Sequence, residues 1–435
     1  MKLNEYESYV PEEFRATTLK SGFLFGTKGR LCVIKPEHGK LARKTEGHIL
    51  IVGGPGSGKS ACVAIPALRT WKSPAFVIDI KGELYQHSIR YRKHREYARV
   101  FDPLINNSYG YDPFVSLKSN PVHEARAIAQ AIIPLTPDNE RNSFWINNAQ
   151  NLLTAAILHY YSEGKSFFDT LRLIQNFAGR RLLSIINKSK DENARLIIQG
   201  LVDTDDRTLA NLTATLTTDI SALVTDRTIA KMLTGENIHP ADLENYHDIY
   251  VRIPEYFLNM PQWNKFLSLM VSQFLRFFEK RSEKNNHPIL FLIDEFPRLG
   301  KFPEIANGLA TLRGKNIVIC PIIQSISQLK KIYGQYEADV ILDNCSFKAV
   351  LSVSTAESQD MFSKLFGTEE REKVSHSRNF SSFFMFGFGQ STTTEEKRKF
   401  KPEDFALLPK YEKIMLFTPC GSFLVEKRGY WEYGN

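Results

Sequence analysis

The sequence lacks an apolar run long enough to cross a membrane. A membrane helix needs about 20 consecutive apolar residues, and the best candidate, residues 152–161, is too short and includes Thr154 and His159. The amino terminus also lacks the charge and hydropathy pattern of a secretory signal peptide. We therefore expect a soluble chain, with any membrane anchor either removed from it or belonging to a partner.

Cysteine is scarce and scattered. The five cysteines are Cys32, Cys62, Cys320, Cys345 and Cys420, and none forms a Cys-x-x-Cys pair. This spacing favours neither a zinc site nor a disulfide framework, and it is typical of a reduced cytoplasmic compartment.

The remaining composition is that of a globular protein. The chain has 435 residues, of which 43% are hydrophobic and 24% charged, enough for two or three domains with large cores. The net charge of +8 is compatible with an anionic partner such as nucleic acid or a membrane surface, but it selects neither.

One stretch carries a specific chemical signal. Residues 53–60 read Gly-Gly-Pro-Gly-Ser-Gly-Lys-Ser, between an apolar run at 48–52 and a helical pattern from Ala61 to Trp71. Strand, glycine loop, Lys-Ser and helix form the phosphate-binding loop, in which backbone N–H groups and the helix start surround a phosphate. The alternative is a glycine-rich turn that binds nothing. The predicted nucleotide-binding residues are Gly53, Gly54, Pro55, Gly56, Ser57, Gly58, Lys59, Ser60 and Ala61.

This loop predicts the cofactors ATP and Mg²⁺. Lys59 is expected to bridge the β- and γ-phosphates, and the Ser60 hydroxyl to ligate Mg²⁺. Two further apolar runs end in acids, residues 74–79 at Asp79 and residues 288–295 at Asp294 and Glu295.

The second of these runs predicts the other half of the chemical site. Asp294 is expected to hold the Mg²⁺ shell, and Glu295 to orient the attacking water and accept its proton. Asp79 is the competing magnesium acid; we prefer Asp294 because the adjacent glutamate supplies a base.

The next apolar run is residues 316–324. Two residues near it are candidates for a role in hydrolysis, and each also has an ordinary structural explanation. Gln324 ends that run and is a predicted γ-phosphate sensor, unless it is only a polar residue at a strand end. Arg313 precedes the run and is a predicted arginine finger for a neighbouring subunit, unless it is an ordinary surface residue.

The alternation of strand and helix patterns predicts an α/β fold, a P-loop NTPase with a parallel-rich central sheet. Between about 118 and 236 the pattern is helical throughout, which predicts an inserted all-α domain. The expected organisation is 1–117 and 237–435 as two segments of the nucleotide-binding domain, with 118–236 as a docking platform between them. Residues 375–394, rich in Ser, Phe, Gly and Thr, predict an exposed loop or hairpin.

These motifs together resemble the type IV coupling proteins, the hexameric ATPases of conjugation and type IV secretion. The matching stretches are 48–60, 79–84, 144–145, 292–300, 313–316, 324–329 and 343–345. The resemblance implies a RecA-like nucleotide-binding domain with the all-helical insertion, and it raises Arg313 as the trans-acting arginine and Gln324 as the sensor.

The resemblance also implies partners. They are DNA bound without sequence specificity, a relaxase or secreted protein, channel components of a type IV secretion system, and further copies of the chain in a homo-hexamer. Relatives usually begin with a pair of membrane helices that this sequence lacks, which implies either a truncated chain or a variant that docks on a separate membrane anchor. The expected location is the cytoplasmic face of the membrane.

Two other functions fit the same motifs. One is a DNA-translocating ATPase unrelated to secretion, and the other is a substrate receptor in which ATP binding is mainly structural. For the DNA contact we expect dispersed cations, and the candidates are Arg90, Arg92, Lys93, Arg95, Lys330 and Lys331.

Overall fold

The computed structural model describes residues 22–26, 33–34, 47–135, 142–283, 287–302, 304–379, 387–419 and 421–432. The sequence also predicts a turn at residues 27–29, and this turn and the cysteines Cys32 and Cys420 lie outside the described residues. The strands are β1 Phe23–Leu24, β2 Val33–Ile34, β3 Ile49–Val52, β4 Ala75–Asp79, β5 Arg99–Phe101, β6 Ile249–Arg252, β7 Ile289–Ile293, β8 Ile317–Ile323, β9 Phe347–Val350, β10 Thr368–Asn379, β11 Gly387–Arg398, β12 Lys413–Thr418 and β13 Gly421–Glu426.

Helices fill most of the remaining described chain. The α-helices are Ile65–Thr70, Glu83–Ser88, Pro121–Ile132, Ser143–Ser162, Phe167–Asn176, Arg180–Asn187, Glu192–Ile198, Asp206–Thr225, Arg227–Thr234, Pro240–Glu244, Pro261–Glu279, Glu304–Thr311, Ile326–Asn344, Ala356–Phe366 and Pro402–Ala406. Ile326–Asn344 is kinked at Gly334, whose φ is 78°.

The chain divides into two compact units. The first comprises Met1–Ala67, Ile322–Ala338 and Cys345–Asn435, and the second comprises Leu68–Pro321 and Asp339–Asn344. Strand β8 contributes its last two residues to the first unit and its first five to the second.

In the first unit, β3 lies between two parallel neighbours. It pairs in parallel with β9 on one side and with the last two residues of β8 on the other. Strand β12 runs antiparallel to β9, and β13 antiparallel to β12. Separately, β1 pairs with β2, and β10 with β11, both antiparallel. The pairing of β10 with β11 favours the hairpin reading of 375–394, whose tip, 380–386, lies outside the described residues.

In the second unit the sheet is entirely parallel. Strand β6 lies between β5 and β4, and β7 lies between β4 and the first residues of β8. Strands β4 and β7 are buried along their whole length, as their continuous apolar sequences predict for a parallel sheet covered on both faces. Because parallel strands end at the same edge, the acid that ends β4 and the acids that follow β7 are brought together.

The helix Pro261–Glu279 covers one face of this sheet. Its Phe274 ring lies 4.6 Å from the ring of Phe76 on β4, and its Phe278 ring lies 5.7 Å from that of Phe291 on β7. The sequence of residues 266–278 predicts a core-facing stripe of Phe and Leu, and these side chains are buried apart from Phe277, which is exposed.

The chain between β5 and β6 is helical. Its long helix Ser143–Ser162 packs against Pro121–Ile132, Glu192–Ile198 and Asp206–Thr225. These helices belong to the second compact unit. The boundaries 118 and 236 for a separate inserted domain therefore stay a proposal.

Two details differ from the sequence expectation. The sequence predicts that the helix after Asp79 carries Arg90, Arg92, Lys93 and Arg95, whereas the helix Glu83–Ser88 ends before all four. Arg92 is buried and its guanidinium lies 2.7 Å from Asp248, with further bonds to backbone carbonyls of residues 68–73. A buried, fully paired guanidinium has no surface to offer DNA, so the prediction that Arg92 contacts DNA is wrong.

Candidate functional site

The phosphate loop of the first unit has the strand–loop–helix form that its sequence predicts. It follows the buried strand β3, and helix begins at Lys59 directly after Gly58, whose φ of 92° is the left-handed conformation that glycine adopts without strain. A Cβ on Gly53 would stand 2.5 Å from Ser57 Oγ and 2.9 Å from the Leu351 side chain. Only glycine allows this close packing, and the loop curvature depends on it.

The first helical turn is wider than an α-helix. Ile65 N–H donates to Ser60 O, five residues back, ahead of Pro66, which has no N–H to continue the usual ladder. The predicted helix start at Ala61 is therefore two residues late. Ser60 and Ala61 lie in this turn and are half-buried, while Pro55 and Gly56 are exposed at the tip of the loop.

Lys59 lies across the loop. Its ammonium donates to Gly53 O at 2.7 Å and to Gly54 O at 3.2 Å, and the residue is only 8% exposed. The buried Ser57 Oγ has no hydrogen-bond partner in the part of the chain that the structure describes. A buried hydroxyl without a partner and an ammonium over the loop both suit an anionic oxygen ligand.

A second lysine supports the loop from the far end of the chain. Lys427 follows β13, is 2% exposed, and its ammonium donates to Ser57 O at 3.0 Å. Burial lowers the pKa of Lys427 to about 8, while the nearby Cys62 thiol opposes that change. Sequence reasoning missed Lys427, because no motif marks it and its place depends on the pairing of the last strands.

Gln324 lies beside the start of the phosphate loop. Gly53 N–H donates to Ile323 O at 3.2 Å, so the residue after β8 stands next to the start of the phosphate loop. Its own N–H contacts Gln328 Oε1 at 3.4 Å, and Ser325 caps the following helix.

The second unit brings the predicted acids together. Asp294 N–H donates to Ile78 O at 3.1 Å, which places Asp294 and Asp79 at neighbouring strand ends, and both residues are buried. Asp79 Oδ2 accepts the Tyr85 N–H at 2.8 Å, and Asp294 Oδ1 accepts the Glu295 N–H at 3.0 Å. Their other oxygens, Asp79 Oδ1 and Asp294 Oδ2, have no partner within the described ranges.

The electrostatics of this cluster favour a cation. Burial, with added repulsion from Glu295 and Asp79, raises the pKa of Asp294 to about 7, and burial also raises the pKa of Asp79. Buried carboxylates that repel one another and leave an oxygen without a partner suit a hard divalent ion with oxygen ligands. The Asp294 carboxylate therefore fits Mg²⁺, and Asp79 offers a further oxygen at the same edge.

Glu295 is held in an unusual backbone conformation. Its φ and ψ are 46° and 41°, in the left-handed region that non-glycine residues rarely adopt, and the residue is 6% exposed. Such strain clusters at functional sites, where the surrounding structure fixes a side chain in place. The neighbouring Arg298 forms an ion pair with Glu255.

Arg252 also reaches this edge, and sequence reasoning missed it. It ends β6 opposite Asp79, and its guanidinium lies 3.0 Å from Asp102 and 5.1 Å from the centre of the Tyr85 ring. A Cβ on Gly82 would stand 3.1 Å from its Nη2. The sequence feature that could have indicated Arg252 is its place at the end of an apolar strand, parallel to the strand that ends at Asp79.

Arg313 lies at the other edge of the same sheet. It precedes β8, whose Ile317 pairs with Ile289 at the start of β7, whereas Asp294 follows the end of β7. A five-residue strand is about 16 Å long. The Arg313 side chain therefore cannot contact the Asp294 and Glu295 carboxylates of its own chain. Its side chain is exposed, as an arginine that acts on a neighbouring subunit must be.

The comparisons with known proteins identify the family. The family profile described as Type IV secretory system Conjugative DNA transfer matches residues 13–433, nearly the whole chain. This chain belongs to that family. The predicted resemblance is thereby confirmed.

Relatives of this family are similar to the chain at low identity. Protein VirD4 of Agrobacterium fabrum is 24% identical over 389 residues, covering 86% of this chain and 57% of the relative. Conjugal transfer protein TraG of Escherichia coli is 23% identical over 420 residues, covering 88% of this chain and 65% of the relative. The chain therefore spans between half and two thirds of the length of these relatives.

Solved structures confirm the predicted fold class. The bacterial conjugative coupling protein TrwBdeltaN70 in its unbound form superposes with a TM-score of 0.72 at 16% identity, covering 97% of this chain and 93% of that one. TrwB in complex with the ATP analogue ADPNP also reaches 0.72, at 15% identity, covering 98% and 93%. No helix among the described residues is both long and apolar enough to span a membrane.

The burial of Asp294 should make the free energy of unfolding depend on pH. An acid whose folded pKa is raised above its unfolded value destabilises the fold increasingly as the pH rises through that interval, here from about 4 to about 7. We expect Asp294→Asn to stabilise the ligand-free protein by on the order of 2 kcal/mol at pH 8 and by less at pH 5. Urea unfolding at the two pH values measures this.

The control for that experiment is Asp205→Asn. Asp205 caps the helix Asp206–Thr225, and its bonds to Thr208 lower the pKa of the carboxyl, so its charge stabilises the fold. Its substitution should give no gain at pH 8. An Asp294→Asn variant that gains equally at both pH values, or not at all, would contradict the assigned cost of the buried carboxylate.

Proposed function

We propose that this chain is an ATP-hydrolysing coupling protein that recruits DNA, relaxase–DNA or protein substrates and drives them to a type IV secretion channel. Family membership supports the role in transfer. The observation that carries the ATPase activity is the phosphate loop with Lys59 across it, together with strand-end carboxylates that leave an oxygen without a partner.

The residues divide the chemistry of hydrolysis among them. The loop N–H groups and Lys59 Nζ bind phosphate oxygens and stabilise the negative charge that develops on them. The Ser60 hydroxyl and Asp294 would hold Mg²⁺, which neutralises phosphate charge when bound. Two related structures, TrwB in complex with ADPNP and TrwB in complex with ADP and Mg²⁺, support this choice of cofactors.

Glu295 acts on the water. Its carboxylate orients the attacking water by accepting a hydrogen bond and then takes its proton, and the strained backbone fixes its position. Gln324, beside the loop, senses the γ-phosphate and passes the change to the helix Ile326–Asn344, which begins two residues later.

Substrate binding is electrostatic in this proposal. Lys330 forms a 2.6 Å ion pair with Glu357, and Ser327 donates to the same carboxylate. Lys330 is thus already engaged, and Lys331, exposed on the same helix, is the better DNA contact. Contacts to phosphates carry no base information, so affinity should fall with salt and vary little with sequence.

The decisive test is the steady-state ATPase rate with and without single- and double-stranded DNA, over a range of chain concentrations. We expect a rate per chain that rises with concentration, because the active form is a homo-hexamer, and rises again with DNA. Lys331→Ala should reduce the DNA effect and leave the basal rate intact. Absence of hydrolysis at every concentration would exclude ATPase activity. A hydrolysis rate that does not change with DNA would favour a substrate receptor in which ATP binding is mainly structural.

A second test addresses Arg313. Arg313→Ala and Lys59→Ala should each be inactive alone. Every active interface needs Lys59 from one subunit and Arg313 from its neighbour, and each variant lacks one of the two. Mixing them creates some interfaces with an intact Lys59 on one side and an intact Arg313 on the other, and we expect roughly a quarter of wild-type activity or less to return. Assemblies shown to contain both variants and still inactive would contradict a trans role.

The same proposal covers location and partners. The chain works at the cytoplasmic face of the membrane, held there by channel components or by a separate membrane anchor. Pull-down with a relaxase or a channel component distinguishes this function from that of a DNA translocase unrelated to secretion.

A further inference from the structure

Two exposed aromatic rings stand beside the phosphate loop of the first unit. Tyr411 lies just before β12 and Trp431 in the turn after β13, and their rings form an edge-to-face pair with centres 5.7 Å apart. Tyr411 is 41% exposed and Trp431 57% exposed. Neither belongs to a motif, and the hydrolysis described above uses neither.

Each ring rests on a glycine. A Cβ on Gly58, the residue before the catalytic lysine of the loop, would stand 3.3 Å from two atoms of the Tyr411 ring. A Cβ on Gly429 would stand 2.2 Å from the Trp431 indole, which no real contact permits. The tyrosine is therefore fixed against the phosphate loop itself, and the tryptophan against the backbone that follows β13.

The backbone around Tyr411 is also unusual. Its φ is 62°, in the left-handed region that bulky residues avoid. The Lys427 N–H donates to Glu412 O at 2.8 Å, which joins the residue after Tyr411 to the end of β13. The same Lys427 supports the loop at Ser57, so one short stretch of chain fixes both the loop and the aromatic pair.

A further cation completes the surroundings. The Lys410 ammonium would lie 3.8 Å from a Cβ on Gly56, at the exposed tip of the loop. A phosphate loop, an exposed lysine and aromatic faces within one surface match the two ends of a nucleotide, anionic phosphates and a flat base. Every base presents a π face, and aromatic side chains bind such faces by stacking.

We propose that Tyr411 and Trp431 form the nucleobase subsite of the phosphate loop, with Tyr411 placed by its contact with Gly58. This inference rests on the proposed nucleotide binding and names the residues that bind the base. The polyphosphate is bound by the loop and the base by the aromatic pair, so the two parts of the ligand depend on different residues.

The experiment compares MgATP with magnesium tripolyphosphate, which has the phosphates and no base, by calorimetric titration of the full chain. Tyr411→Leu and Trp431→Leu should each weaken ATP binding about tenfold, within the range measured for a lost stacking contact. Tripolyphosphate affinity should change less than twofold. Tyr411→Phe and Trp431→Phe keep the ring and should restore ATP affinity.

The control variant is Tyr336→Leu, an aromatic residue 81% exposed in the same unit and outside the loop surroundings, which should change neither affinity. A second readout is fluorescence: the chain has four tryptophans, and the quenching produced by ATP should disappear in Trp431→Phe.

The outcomes are distinct. Equal losses for ATP and tripolyphosphate in the leucine variants, or no loss for either, would overturn the subsite. So would a loss of self-association with unchanged ATP affinity, which would assign the pair to a contact between copies of the chain. Wild-type protein that binds neither ligand would instead overturn the proposed nucleotide binding, and the subsite with it.

Discussion

Lys59→Ala is expected to reduce ATP hydrolysis at least 100-fold and to weaken nucleotide binding. The ammonium lies across the loop, where it is held by bonds to Gly53 O and Gly54 O. Removing it takes one cation away from the negative charge that develops on the transferred phosphate, and a single preorganised donor of this kind is worth about 10²–10³ in rate. Hydrolysis and calorimetric titration measure the two effects.

Two further variants separate chemistry from folding. Lys59→Arg keeps the charge but not the compact ammonium, so binding should recover more than turnover does. Lys401→Ala removes an exposed lysine of the same unit and should leave both parameters intact. Hydrolysis at the wild-type rate in Lys59→Ala would contradict the assignment of the phosphate loop.

The features that could be predicted are those that short sequence windows encode. The phosphate loop is contiguous, and its glycines, lysine and flanking elements all lie between Ile49 and Thr70. Asp79 and Asp294 are far apart in sequence, but each ends a continuous apolar strand, and parallel strands end at one edge. The position of Gln324 at a strand end could be predicted in the same way, because it follows the apolar strand β8.

What could not be predicted depends on long-range pairing. Lys427 reaches Ser57 across 370 positions, and only the pairing of β13 with β12 places it there. For the same reason Tyr411 contacts the loop at Gly58 and Trp431 contacts Tyr411. No periodicity or motif records such proximity, and in composition these residues look like ordinary surface residues.

The error at Arg92 has the same origin. Within residues 90–95 the sequence is a run of cations, which indicates a solvated face. The partner that draws one of them into the core, Asp248, lies 156 positions away beside β6. A buried charge is stable only when paired, and pairing at that separation leaves no local trace.

Glu295→Gln is expected to bind MgATP within about threefold of wild type and to lose turnover by roughly 10²–10³-fold. The amide keeps the size and the polar contacts of the carboxylate, so the ground state is retained. It cannot accept the proton of the attacking water, and positioned acid–base groups contribute about this much to a rate. Single-turnover hydrolysis and equilibrium binding, measured on one preparation, give both numbers.

The matched variants at this edge are Asp294→Asn and Asp79→Asn, because all three acids are buried together and each substitution is isosteric. If Asp294 is the magnesium ligand, its variant should need more Mg²⁺ for half-maximal rate, whereas Glu295→Gln should show an unchanged Mg²⁺ requirement at a lower maximum. If Asp79→Asn raises the Mg²⁺ concentration for half-maximal rate more than Asp294→Asn does, Asp79 is the magnesium ligand. A Glu295→Gln variant that binds ATP as poorly as Lys59→Ala would remove the base from Glu295, since a residue acting only on water cannot be needed for binding.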